Sequence, residues 1–216
     1  MNANEYFYKL LKIEPLYEAE PYFYKPFWDF QYRFQGLQRH WVLNRDYFSN
    51  HLNILRIIVP DGTAEFEGVV SETVGNDFND IPEYVRLSTI SYALSLLENL
   101  LGAVSEEIAS SSGKEVILDK RPMPNLEKYI LWLNRDCGLE IELGKKLRKN
   151  LTAIRDVRNK FSHRIDRDIP EHTKNIVYEM VDSSENGEFE ISDQFVEISL
   201  KELAAVAKLI ELAYIK

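Results

Sequence analysis

The chain has 216 residues, of which 45% are hydrophobic and 28% are charged, the composition of an ordinary globular protein that can bury one well-filled core. It contains no run of about 18 apolar residues, no secretory signal pattern and only one cysteine, Cys137, so the sequence indicates no membrane span, no secretion and no internal disulfide. We therefore expect a cytoplasmic protein, and the formal net charge of −9 means that most of its surface repels polyanions.

Aromatic residues concentrate at the beginning of the chain, where residues 1–48 hold 15 of the 26 Phe, Trp and Tyr. Three prolines within residues 14–26 predict an extended or turn-like segment, so residues 1–26 are interpreted as an aromatic-rich extension. A helix is predicted from about Phe27. Its apolar stripe recurs at steps of four, three and four, which favours a buried core face over a surface that stacks nucleic-acid bases: Phe30, Phe34, Leu37 and Trp41.

The sequence predicts no metal site and no cofactor. His40 and His51 lie near one face of the first helix but have no carboxylate or cysteine neighbours, which favours structural roles for both. The chain also has no Gly-rich phosphate-binding loop and no Gly-x-Ser-x-Gly elbow for a nucleophilic serine.

The middle of the chain predicts a loop followed by two helices. Residues 56–80 break the helical pattern and are expected to form a loop with at most short strands. Residues 80–83, Asp-Ile-Pro-Glu, have the features of a helix start, and this helix is expected to run to about residue 110. Asn125 is predicted to cap a shorter helix that ends near Gly138, and a tight turn then leads to an antiparallel neighbour.

A change of period after Pro170 predicts β structure near the end of the chain. Residues 175–181 and 189–198 read as strands around a turn at 183–187, which together predict a β-hairpin over 175–198. A capping box at residues 199–202 then predicts the start of the C-terminal helix. The expected fold is mainly α: a single helical bundle over residues 1–216 with this hairpin inserted before its last helix.

Residues 144–167 carry the strongest charge pattern, with nine Lys or Arg and two acidic residues, whereas the rest of the chain has 17 basic and 33 acidic residues. Their six apolar residues fall within an arc of about 120° on a helix, which predicts one buried face. Such a local positive field attracts polyanions. The plain alternative is a solvated helix face with Lys and Arg near its C-terminal end.

Arg158 differs from the other cations because it falls about 40° from Ile154, inside the apolar arc of this helix. A guanidinium aimed at a core or an interface needs a partner, since an unpaired buried charge is costly. Glu98, just beside the predicted buried face of the long middle helix, is the expected ion-pair partner that orients it. His163 points about 140° away from Arg158 on an ideal helix.

Residues 158–163 read Arg-Asn-Lys-Phe-Ser-His and fit the pattern Arg-polar-x-x-x-His. This pattern, late in a basic amphipathic helix, resembles the signature of the HEPN superfamily (higher eukaryotes and prokaryotes nucleotide-binding domains). The resemblance covers this helix and a helical frame over residues 80–165. It implies an all-α bundle, a homodimer whose motifs face each other across one cleft, and a metal-independent ribonuclease that serves as a toxin or in phage defence.

The resemblance also implies roles for individual residues. His163 would be the acid–base group, Arg158 would bind and stabilise the scissile phosphate, and Asn159 would hydrogen-bond the imidazole or the phosphate. The expected products are a 2′,3′-cyclic phosphate and a 5′-hydroxyl, because RNA supplies its own nucleophile. Four cations are expected to guide the RNA backbone without reading its bases: Lys149, Arg155, Lys160 and Arg164.

Partners and the alternative function follow from the same motif. An antitoxin or regulatory protein is a further expected partner, but Arg164 and Ile165 stand where one toxin subgroup has a His-x-Tyr tail that a nucleotidyltransferase modifies. Control by that transferase is therefore in doubt. The alternative is a non-catalytic helical module of the same fold that dimerises and binds a protein or a nucleotide. Catalysis requires His163, whereas a scaffold tolerates its loss.

Overall fold

In the computed structural model the regular secondary structure is helical, and no strand occurs among the residues that it describes. It describes residues 8–21, 24–58, 64–163, 169–182 and 189–216, with side chains at all of these except 51–58, 64–80 and 161–163. After one helical turn at residues 8–11 come six helices: α1 (Lys25–Ile58), α2 (Ala64–Ser112), α3 (Asn125–Cys137), α4 (Lys145–His163), α5 (Glu171–Met180) and α6 (Asp193–Ile215). The predicted mainly α fold is confirmed.

Helix α2 lies at the centre of the bundle, because α1, α3, α4 and α6 all pack on it, while α5 packs on α4 and α6. The helical spacing of seven apolar residues between Leu87 and Ile108 predicts the core face of α2. Ile108 is partly buried, and the other six of the seven are buried: Leu87, Ile90, Leu94, Leu97, Leu101 and Val104. A helix that buries its apolar face against four neighbours gains most of its stability from that packing rather than from its own propensity.

Residues Ile81–Ser112 of α2 are long and apolar enough to cross a membrane by length and composition, and 56% of their most apolar window is buried inside the protein. This is weak support for a membrane span, because the central helix of a helical bundle meets the same criteria. The burial is explained by the packing of α1, α3, α4 and α6 around it.

The N-terminal extension runs without regular structure over residues 13–21 and is held by glutamines of α1. Gln38 donates to the Glu14 carbonyl at 2.7 Å, and Gln35 donates to the Tyr17 carbonyl at 3.0 Å. Both glutamines are buried, so these bonds also satisfy their own polar groups. The predicted stripe of α1 is confirmed as core, because Phe30, Phe34, Leu37 and Trp41 are all buried. Phe27, near the start of the helix, is buried as well.

The predicted β-hairpin is wrong over the described residues. Residues 171–180 form α5, and residues 193–198 belong to α6, while the expected turn at 183–187 lies outside the described residues. Burial explains the helix: Thr173, Ile176 and Val177 are spaced by three and one and lie together against α4 and α6. Such tertiary packing overrides the β-propensity of branched residues.

The predicted capping box at residues 199–202 is also wrong, because α6 begins six residues earlier. Ser192 is its cap, and the Ser192 hydroxyl accepts a hydrogen bond from the Phe195 amide at 3.1 Å. Ser199 lies buried inside the helix, where its hydroxyl donates to the Phe195 carbonyl at 2.7 Å. A buried serine satisfied by its own helix looks like a cap in sequence, but it is an interior residue.

The predicted loop at residues 56–80 is wrong where the backbone is described. Helix α1 continues to Ile58, and α2 already begins at Ala64 and runs through Pro82. The expected helix start at residues 80–83 is therefore an interior segment of α2. Proline usually marks a helix boundary because it has no amide hydrogen and crowds the preceding turn, but here the helix continues across it.

Helices α3 and α4 do not form the predicted antiparallel neighbours. Both pack on α2, yet among the described residues they make no backbone-level contact with each other. The connection between them is no tight turn either: Ile141 is buried, and the Asn134 side-chain amide bonds both the Ile141 amide (2.9 Å) and the Ile141 carbonyl (3.0 Å). This anchored linker keeps the two helices apart and leaves a groove between them.

Helix α3 begins one residue earlier than predicted, with Pro124 rather than Asn125 at the cap, and it ends as predicted at Gly138. Gly138 has φ 72°, a left-handed conformation that costs other residues about 1 kcal/mol.

We expect Gly138→Ala to lower the free energy of unfolding by about this amount in urea titrations. Gly36→Ala is the control, since Gly36 lies inside α1 without a positive φ and an added methyl there meets only the end of the Arg39 side chain, at 3.9 Å. An equal loss in both variants would contradict this explanation.

Candidate functional site

The motif residues 158–163 lie on helix α4, as the sequence predicted. Leu151, Ile154 and Val157 are buried, as expected for its apolar arc. The helix ends at His163, five residues after Arg158, which is an axial rise of about 7.5 Å. The His163 side chain and Arg164 lie outside the residues whose side chains are described.

Arg158 lies next to Glu98, the partner that the sequence suggested. The distance from Arg158 Nη2 to Glu98 Oε1 is 4.0 Å, and the two side chains are only 23% and 28% exposed. Glu98 belongs to the central helix, whose position is fixed by packing on all sides. This carboxylate therefore offers the guanidinium a rigid, half-buried counter-charge that limits its orientations.

Two of the other predicted phosphate contacts, Lys149 and Arg155, already pair with carboxylates of the fold. Lys149 pairs with Glu179 of α5 at 2.5 Å, whereas Arg155 pairs with Glu127 of α3 at 3.7 Å and with its neighbour Asp156 at 3.3 Å. Asn159 is exposed and Lys160 is partly exposed on α4. Carboxylates of α3 and α5 thus offset part of the positive field that the sequence pattern indicates.

The groove between α3 and α4, floored by α2, contains Arg155 and Arg158 together. It encloses a cavity of about 330 Å³, within the size range of small-ligand sites. Four arginines and two glutamates contribute to its lining, so its own charge is positive: Arg121, Arg148, Arg155, Arg158, Glu98 and Glu127. The rest of the lining is mostly apolar, with Leu94, Leu126, Ile130, Leu143 and Leu151 buried or nearly so.

Arg148 and Arg121 are groove residues that sequence reasoning did not select. A signal for Arg148 was present, because Arg148, Thr152 and Arg155 recur at steps of four and three and therefore share one helix face. No such signal existed for Arg121, which lies in the linker before α3. Arg121 forms a bidentate pair with Asp119 and, through these hydrogen bonds, lowers the pKa of that carboxyl to about 2.

The described side chains give little support for a metal site or for a cysteine nucleophile. No group of three or more His, Cys, Asp or Glu that could hold a metal ion occurs among them. Burial raises the pKa of the Cys137 thiol, which keeps it protonated and poorly nucleophilic at neutral pH. The groove with its arginines is therefore the candidate functional site.

Comparison of the chain with protein-family models, with curated proteins and with solved structures finds no match. The resemblance to the HEPN superfamily therefore depends on residues 158–163 and the helix that carries them.

Proposed function

We propose that this protein is a metal-independent endoribonuclease that acts as a homodimer, in the role of a toxin or a phage-defence effector. The observation that supports the proposal best is the half-buried Arg158 beside Glu98, on a helix that ends five residues later at His163. This pair prepares a guanidinium to bind a phosphate, and the motif supplies a group that transfers protons near neutral pH.

In the proposed reaction one His163 removes the proton from a ribose 2′-hydroxyl. The oxygen attacks the adjacent phosphorus, and the bond from phosphorus to the 5′-oxygen breaks. The same imidazole, which now carries that proton, donates it to the leaving 5′-oxygen. The products are a 2′,3′-cyclic phosphate and a 5′-hydroxyl. Arg158 stabilises the negative charge that develops on the non-bridging phosphoryl oxygens, while Asn159 holds the imidazole or the phosphate.

A dimer fits the geometry of α4 better than a single protomer does. On an ideal helix, positions 158 and 163 lie about 140° apart around the axis and about 7.5 Å apart along it. One helix therefore presents them in different directions, whereas two helices that meet in a cleft bring an arginine of one protomer to a histidine of the other.

The alternative, a non-catalytic module that binds a protein or a nucleotide, is favoured by one specific observation. Lys149 and Arg155, two of the four cations expected to contact RNA, are paired with carboxylates in the folded chain. Surface pairs of this kind are weak, and RNA phosphates can displace them, so they reduce the positive field without abolishing it.

The test is cleavage of a mixed RNA pool by the purified protein in the presence of EDTA, with the product ends analysed. Cyclic-phosphate and 5′-hydroxyl ends that disappear in His163→Ala would support the proposal. Equal activity in wild type and His163→Ala would indicate a contaminating nuclease and would reject it. No cleavage by a correctly folded dimer would favour the binding module.

We expect Glu98→Gln to reduce kcat for RNA cleavage by about tenfold while KM changes little. The substitution keeps the volume of the side chain but removes the charge that orients Arg158. Glu106→Gln is the matched control, because Glu106 is an exposed residue on the same helix. Initial rates at several RNA concentrations measure both constants. A change in KM alone would indicate that Glu98 affects RNA binding rather than the orientation of Arg158.

A further inference from the structure

The groove between α3 and α4 extends well beyond Arg158, the residue to which the proposed function assigns the phosphate. Arg148 and Arg158 both line it and are ten residues apart on α4, which corresponds to about 15 Å along the helix axis. The cavity is therefore elongated, and the half of it nearest Arg148 has no role in the reaction described above.

Apolar side chains of three helices form most of the walls of this groove. Leu94 of α2, Leu126 and Ile130 of α3, and Leu151 of α4 line it and are each at most 8% exposed. An apolar ligand that replaces water against these side chains is stabilised by every CH₂ group that it buries.

The two uncharged polar residues of the lining are already engaged within the fold. The Asn134 side chain accepts a hydrogen bond from the Ile141 amide at 2.9 Å and donates one to the Ile141 carbonyl at 3.0 Å. The Thr152 hydroxyl donates to the Arg148 carbonyl at 3.0 Å. A ligand body rich in hydroxyl or amide groups would lose its water there without gaining a ready partner. The groove therefore favours a ligand whose body is apolar.

Arg148 lies at one end of the groove, and none of the described carboxylates lies within ion-pair distance of it. Its Nε donates to the Leu143 carbonyl at 2.9 Å, which fixes the guanidinium and leaves the two Nη groups for a ligand. Two adjacent Nη groups match the two oxygens of one carboxylate. Arg148 is exposed, so a carboxylate bound to it keeps contact with water while an attached chain enters the groove.

The other charged groups of the groove limit the ligand to one negative charge. The remaining three arginines lie beside carboxylates, namely Asp119, Glu127 and Glu98. Glu98 and Glu127 themselves line the cavity and would repel a second anionic group placed further along it.

We infer that this groove binds a linear medium-chain monocarboxylate, with the carboxylate on Arg148 and the chain along α4 against the apolar walls. A chain of about ten carbons fits a length of about 15 Å, because each C–C bond of about 1.5 Å advances an extended chain by less than its own length. The cavity volume of about 330 Å³ lies within the range of small-ligand sites. Binding of this kind requires neither His163 nor a second protomer.

Calorimetric titration of the full chain with sodium decanoate, below the concentration at which it forms micelles, tests this inference. Hexanoate and octanoate shorten the chain, and tetradecanoate lengthens it. We expect one site per chain and an affinity that rises about fourfold with each added CH₂ up to about ten carbons, then levels off where the groove ends. Decyltrimethylammonium, which has the same chain and the opposite charge, should bind at least about tenfold more weakly.

Matched variants separate the groove from the general charge of α4. Arg148→Ala should weaken decanoate binding by about tenfold or more, whereas Lys146→Ala, which removes the same charge from an exposed position outside the groove, should leave it within about twofold. Thr152→Phe should block binding by filling the groove, and Thr152→Val, which keeps the shape of the side chain, should retain it. If Thr152→Phe fails to fold by circular dichroism, the chain-length limit still tests the groove.

Four outcomes would overturn the inference. They are no saturable binding of decanoate, equal binding of decyltrimethylammonium, an affinity that keeps rising at the same rate to tetradecanoate, and equal losses in Arg148→Ala and Lys146→Ala. Each is measured in the absence of RNA, so none depends on whether the protein cleaves it.

Discussion

A dimer that combines one Arg158→Ala protomer with one His163→Ala protomer is expected to cleave RNA at roughly half the wild-type rate. Each variant alone should lose about 10²–10⁴-fold in kcat, because one lacks the charge on the phosphate and the other lacks the proton-transfer group. In the mixed dimer, one protomer still contributes its histidine and the other its arginine. These two intact residues meet only if each site is shared between protomers.

Co-expression of two differently tagged copies, followed by two affinity steps, isolates the mixed dimer. Lys146→Ala paired with Arg158→Ala is the control, since Lys146 lies outside the groove and should not affect the count of intact sites. That control should also retain about half of the activity. A mixed Arg158→Ala and His163→Ala dimer as inactive as its parents would show that both residues act from one protomer, and the geometric argument from α4 would then be wrong.

Glu211→Ala is expected to lower the free energy of unfolding by about 3 kcal/mol, the largest effect on stability that we expect. Glu211 of α6 is only 1% exposed. Its Oε1 accepts a hydrogen bond from the Glu20 amide at 2.7 Å, and its Oε2 lies 3.0 Å from Lys208 Nζ. Removing the carboxylate leaves a backbone amide without its acceptor and weakens the attachment of the N-terminal extension to α6.

For a chain of this size the loss corresponds to a decrease in Tm of about 6–12 °C, which calorimetry can measure. Glu211→Gln is the informative control, because it keeps an acceptor for the Glu20 amide but not the charge opposite Lys208. It should lose less than Glu211→Ala. If both variants lost the same amount, the ion pair and not the backbone hydrogen bond would hold the extension.

The cluster of Lys208, Glu20 and Glu211 should make the free energy of unfolding depend on pH, with a definite sign. Burial alone would lower the pKa of the Lys208 ammonium, but hydrogen bonds to Glu20 and Glu211 outweigh it and raise that pKa. Because this pKa is raised in the folded state, the charged Lys208 contributes fully to the free energy of unfolding at pH values below its pKa in the unfolded chain. That contribution is lost as pH rises through the pKa of the folded state. The difference in stability between wild type and Glu211→Ala should therefore narrow at strongly alkaline pH.

Features that depend only on neighbouring residues could be predicted from the amino-acid sequence. The spacing of Phe30, Phe34 and Trp41 is enough to define a buried stripe, because helical geometry places them on one face wherever the helix packs. The end of α3 at Gly138 followed from the left-handed conformation that glycine adopts most easily. The apolar arc of α4 was expected on the same grounds. The pairing of Glu98 with Arg158 was suggested by the place of each residue on its own helix, but it forms because α2 and α4 pack together.

The choice between helix and strand for residues 171–180 depends on packing against the rest of the fold. Ile176 and Val177 suit either state locally, but packing on α4, with Thr173 donating to Asp156 at 3.2 Å, selects the helix. The groove is also a product of tertiary structure. It exists because α3 and α4 both pack on α2 while the linker anchored by Ile141 holds them apart. No local pattern contains that separation, so the groove position of Arg148 becomes apparent only in the folded chain.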